Sequence, residues 1–159
     1  ILGTDLRGRV PAMITMHAYS QLWIYPFSHR RGVYPADVEE LKAVARRAVT
    51  ALAEKFGTNY QYGTGPETIY AYTGGSADWA KETAKVKYTY TLELRPSYWS
   101  WNGFVLDRAQ LIPTARETFD GVFGGDGTSR KGNDRANGAQ SERRGSVRPP
   151  FHFVCPSFC

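Results

Sequence analysis

At 159 residues, with 42% hydrophobic and 14% aromatic content, the chain is long enough to bury the core of one domain. Its net charge of +5 is uneven: from Gly124 onward six basic residues stand against three acidic ones, so the body is close to neutral. That excludes a strong basic face on the body. No apolar run approaches the length of a membrane span. The only two cysteines, Cys155 and Cys159, sit at the extreme end, so the body holds no internal disulfide.

Residues 1–9 are polar, carry two glycines and read as a lead-in loop. They lack the charged start and long apolar core of a secretory signal. The chain opens almost directly into a buried strand, and is expected to be a piece of something longer. Ala12-Met13-Ile14-Thr15-Met16 is short, nearly all apolar and not alternating. Such a run predicts a strand covered on both faces of a sheet. It ends at His17, at the carboxyl end of the strand, where ligands bind in open α/β sheets. Taken alone, His17 reads first as a hydrogen-bonded strand-end histidine. Residues 25–32 read as a loop, with His29, Arg30 and Arg31 as a solvated charge cluster.

Residues 37–56 form the clearest helix. Acids crowd its first turn (Asp37, Glu39, Glu40), Lys55 lies in its last, and Gly57 follows. Val38, Leu41, Ala45, Ala48 and Leu52 recur at helical spacing and give one apolar stripe. Residues 60–76 are aromatic and glycine-rich and read as a long functional loop. Gly74-Gly75 has no GKS/T after it, which argues against a phosphate cradle. A short helix over 77–82 is expected, capped by Ser76.

Residues 85–95 alternate. Val86, Tyr88, Tyr90, Leu92 and Leu94 share one face; Lys87, Thr89, Thr91, Glu93 and Arg95 share the other. By pattern, Glu93 faces either solvent or a cleft. Residues 96–103 form a loop with Trp99 and Trp101. Residues 109–123 form a second helix with Pro113 placed in its first turn. From Gly124 to Pro150 Gly, Ser, Asn, Asp and Arg dominate, a composition that predicts disorder. Its charges are diluted by acids and lack interleaved aromatics, against a nucleic-acid role. His152, Cys155 and Cys159 supply three zinc-type donors but no fourth.

Four ordered motifs carry a resemblance over roughly residues 10–123. They are His17-Ala18-Tyr19-Ser20-Gln21-Leu22-Trp23-Ile24-Tyr25-Pro26-Phe27; Tyr62-Gly63-Thr64 through Ile69-Tyr70; Gly74-Gly75-Ser76-Ala77-Asp78-Trp79-Ala80; and Tyr88 through Arg95, with a closing Ile112-Pro113-Thr114-Ala115-Arg116-Glu117. Together they resemble the C-terminal part of the catalytic domain of the zinc metallocarboxypeptidases of the A/B type. The resemblance implies an α/β fold: part of a mixed eight-stranded sheet flanked by helices, with residues 1–123 as a partial catalytic domain and 124–159 as a disordered basic tail.

It also implies zinc as cofactor, with His17 the third protein ligand and Glu93 the catalytic carboxylate. Ala18 and Tyr19 would lie on the cleft wall, Tyr70 would close over the substrate's terminal carboxylate, and Ala77 would form the base of the specificity pocket. A small neutral Ala77 favours an apolar or aromatic terminal residue. Gly65 stands where many relatives have a bulky apolar side chain. Arg95-Pro96 falls where the family has an unusual cis peptide. Proline makes a cis bond cheaper by about 2 kcal/mol, so a cis bond is expected there.

The departures are as informative. No His-x-x-Glu is present, since neither His29 nor His152 has a Glu three residues on. One zinc ligand of three is present, so this chain alone is expected neither to hold the metal nor to turn over substrate. The expected partners are peptide or protein C-termini, with no nucleic acid or membrane partner, a monomeric state and an extracellular location. The alternative is a non-catalytic module that binds C-termini in a Tyr/Trp-rich cleft.

Overall fold

The computed structural model describes residues 2–124. Expectations for the tail, including His152, Cys155 and Cys159, lie outside the described residues. Eight elements follow in order: β1 (Ala12–Ser20), β2 (Leu22–Ile24), α1 (Val38–Phe56), β3 (Gln61–Gly63), α2 (Gly65–Thr68), α3 (Ser76–Glu82), β4 (Tyr88–Ser97) and α4 (Arg108–Gly124). The four strands make one mixed sheet in the order β1-β4-β2-β3. β1 runs parallel to β4, β4 antiparallel to β2, and β2 parallel to β3. This α/β arrangement agrees with the expected partial sheet flanked by helices.

Alternation along β1 and β4 sorts side chains onto two faces. Tyr90, Leu92 and the partly buried Ile14 pack with Trp23 from β2 and with Leu41, Ala45, Ala48, Val49 and Leu52 of α1. Helix α4 lies against α1, where a Cβ on Gly121 would stand 3.2 Å from both the Ala48 carbonyl and Leu52 Cβ. On the other face Met13 packs with Val10, Val86 and, from α3, Ala77 and Ala80. α1 stops because Gly57 turns left-handed (φ 66°) and donates its N–H to the Ala53 carbonyl.

Several expectations are corrected. β1 is not covered on both faces throughout: Met13 and Thr15 are buried, but Met16, His17 and Ala18 are exposed, since β1 is an edge strand with a strand neighbour on one side only among the described residues. The loop expected over 60–76 contains β3 and the capping-box turn α2, in which the Thr64 N–H donates to Glu67 Oε2 at 2.9 Å. Ser76 is the first residue of α3 rather than its cap, and Gly75 holds the cap position. Val86 precedes β4 and joins the α3 cluster. Pro113 lies inside α4, beyond the first turn of a helix that begins at Arg108.

Candidate active site

The register of β1 and β4 sets His17 directly beside Glu93, with Thr15 beside Thr91 and Met13 beside Thr89. Paired residues of parallel strands project from the same face, so an imidazole and a carboxylate from positions 76 residues apart rise together at the carboxyl end of both strands. Thr15 Oγ1 lies 3.0 Å from His17 Nε2, one step down the same face. Leu22 of β2 is opposite Glu93 on the other side of β4, so Glu93 is held between two strands. Glu93 is half-buried, and this burial alone pushes its carboxyl up to about 7. The side chain is therefore not the fully solvated carboxylate that the alternating pattern also allowed.

Tyr70 is 63% exposed and packs edge-on against Tyr72, with ring centroids 6.1 Å apart. The Tyr72 backbone N–H donates to the Ser28 carbonyl at 2.9 Å. Its half-buried phenol is raised in pKa by burial, while hydrogen bonds with Ser28 and Thr91 act the other way and the charges of Asp78 and Glu93 add to the rise. Tyr72 thus links the Tyr70 loop to the strand that bears Glu93. Asp78 Oδ2 in turn accepts the Ser28 N–H at 2.8 Å and stands 3.7 Å from His29 Nδ1, so the exposed His29 is more than a solvated charge.

The other expected residues divide between the two faces. Ala77 is buried against Met13, on the His17 face of the sheet. The Ala18 side chain lies on the opposite face, in an apolar groove of about 410 Å³ with Met16, Leu94, Phe104 and Phe119. Tyr19 packs edge-on against Phe104, centroids 5.1 Å apart. The Arg95–Pro96 bond is cis, as expected from sequence; Ala18–Tyr19 and Pro26–Phe27 are also cis. Arg95 leaves the alternating face altogether. Its guanidinium grips the fully buried Glu117 of α4, with Nε donating to Oε1 at 2.8 Å and Nη2 to Oε2, and Thr58 Oγ1 donates to Glu117 Oε2 at 2.6 Å.

Thr15, Ser28, Tyr72 and Asp78 escaped the sequence reading as site residues. Thr15 was detectable by its two-residue step from His17. Nothing local marked Tyr72, since its partners Ser28 and Thr91 are distant in sequence. Among the described residues no three His, Cys, Asp or Glu side chains converge. His17 fits as one donor to a zinc ion, but these residues alone do not compose a metal site.

A half-buried carboxylate beside an exposed histidine at the strand ends of a mixed sheet stands where ligands bind in open α/β scaffolds. The zinc carboxypeptidase family model matches residues 3–121, and the chain belongs to that family. It is 46% identical over 118 residues to carboxypeptidase B of Astacus astacus, covering 74% of this chain and 38% of the relative. It is 41% identical over 118 residues to zinc carboxypeptidase A 1 of Anopheles gambiae, covering 74% of this chain and 27% of the relative. Bovine thrombin-activatable fibrinolysis inhibitor, solved in complex with tick carboxypeptidase inhibitor, superposes with a TM-score of 0.67 at 37% identity, over 74% of this chain and 40% of that one. Carboxypeptidase A of Helicoverpa armigera superposes at 0.68 with 25% identity, over 79% of this chain and 31% of that one. The chain thus spans well under half the length of these relatives.

Proposed function

We propose that the complete protein is a secreted zinc-dependent carboxypeptidase, and that this chain supplies the later part of its active site. The observation that carries the reading is the pairing of His17 with Glu93 across β1 and β4. His17 is one zinc ligand; the family's remaining ligands have no counterpart here. When bound, the metal would polarise the scissile carbonyl and acidify a water. Glu93, whose carboxyl is raised to about 7 by burial, is suited to take a proton and return it to the leaving amine near neutral pH. The exposed phenol of Tyr70 is free to donate to the substrate's terminal carboxylate. Tyr19 contributes to the cleft wall and Ala77 supports the pocket for an apolar or aromatic terminal residue, whereas Ala18, whose side chain lies on the opposite face of the sheet, does not reach the cleft.

Substrates are peptide and protein C-termini, and the inhibitor-bound structural neighbour supports a cleft open to polypeptide. With one metal donor, the 159-residue chain by itself is inactive. The test is zinc-dependent release of terminal Ala, Leu or Phe from blocked dipeptides by the complete protein. Glu93→Gln should lower kcat by about 10²–10⁴ with the metal retained, and His17→Ala should reduce the zinc content. Retention of full activity by Glu93→Gln would refute the assignment. Robust turnover by the 159-residue chain alone would refute its inactivity.

A further inference from the structure

Gly65 and Gly75 lie on opposite edges of one aromatic ring. A Cβ on Gly65 would come within 2.9 Å of Tyr72 Cε1 and equally close to Ser28; one on Gly75 would come within 2.8 Å of Tyr72 Cε2. Real Cβ contacts essentially never reach such distances, so the two glycines make the slot that the Tyr72 ring fills. Its hydroxyl reaches Ser28 at one end of the slot and Thr91 of β4. Thr91 is one alternation step below Glu93 on the same face. The volume that a bulky residue at position 65 would occupy is therefore taken by a phenol from position 72.

We infer that Tyr72 is the specificity-determining residue of this site, and that by filling the pocket beside Glu93 it restricts the terminal residue of the substrate to small aliphatic side chains. This inference rests on the carboxypeptidase reading and narrows it. A terminal Ala or Val fits above the ring; a terminal Phe or Trp competes with the ring for the same space. The Tyr72 hydroxyl is turned toward Ser28 and Thr91, so the ring is what fills the space. The backbone bond from Tyr72 to Ser28 anchors the loop from which the ring projects.

Two measurements decide the matter. In the complete protein, blocked dipeptides ending in Ala, Val, Phe and Trp are compared by kcat/KM. The native enzyme should prefer Ala and Val. Tyr72→Ala should shift the Phe-to-Ala ratio by roughly tenfold or more toward Phe, mainly through KM, whereas Tyr72→Phe should keep the native order. A native preference for Phe, or an unchanged ratio in Tyr72→Ala, overturns the inference while the enzyme reading stands. Cleavage of none of the four overturns both.

The second measurement needs no catalysis. The three atoms nearest to a Cβ on Gly75 all belong to Tyr72. In the complete protein, Gly75→Ala should be clearly destabilising beside Tyr72 and close to neutral in the Tyr72→Ala background, read from urea midpoints. Equal cost in both backgrounds overturns the seat of the ring.

Discussion

Glu93 shows how one residue couples environment to protonation. Its carboxyl ionises near 7 in the folded chain rather than at the ordinary value of 4.5, because burial penalises the charged form. Between those two values the native state holds a proton that the unfolded chain has released. Stability therefore falls as pH rises from about 4.5 to about 7 and levels off above. Glu93→Gln, which mimics the protonated acid, should leave the urea midpoint unchanged at pH 4 and raise it at pH 8. A variant no more stable than the parent at pH 8 would contradict the burial argument. The types of the central residues were legible in the sequence: a histidine closing an apolar run, and a glutamate on the polar side of an alternating strand. Their adjacency was not, because strand register is a property of two segments and no local pattern reports it.

At the scale of elements, α1 was legible because a stripe of five apolar residues, Val38 to Leu52, repeats over about four turns. β2 and β3 were not, having three residues each, and α2 has only four. Such pieces are too short for any periodicity to register, and their existence depends on neighbours that supply the other half of the ladder. α4 was legible to within one residue at each end, and only the placing of Pro113 is corrected: it lies inside the helix, where tertiary contacts offset its local cost. The strongest of those contacts is the bond between Arg95 and the buried Glu117, which ties the end of β4 to α4. Glu117→Ala would leave Arg95 with its charge uncompensated and should cost about 3–5 kcal/mol, measured by urea denaturation. Replacing both by apolar residues, Arg95→Met with Glu117→Leu, should recover much of that loss. Arg95 also shows where alternation stops predicting: the strand end twists, and the side chain crosses to the helical side.

At the scale of the whole molecule, the sheet is unfinished on one flank. β1 has β4 on one side and no strand among the described residues on the other. Beside it runs the apolar groove between β1 and α4, with Met16 42%, Leu111 61% and Phe119 60% exposed. An unpaired edge next to exposed apolar surface templates association. The isolated chain should bind an environment-sensitive hydrophobic dye and scatter light at micromolar concentration. Met16→Lys combined with Phe119→Lys should reduce both signals without altering the circular dichroism spectrum. Dye binding unchanged by the pair would place the sticky surface elsewhere.

The short step from β1 to β2 has one more effect. His17 and Leu22 meet Glu93 from opposite flanks, so the chain leaves one side of β4 and lands on the other within five residues. Ser20 and Gln21, both at positive φ, make that hop. The main chain at position 93 is consequently clamped like a rail between two sleepers. Its amide should exchange with deuterated solvent far more slowly than those in the aromatic loop beyond Ser97. A carboxylate mounted this way keeps its aim by backbone anchorage on both flanks.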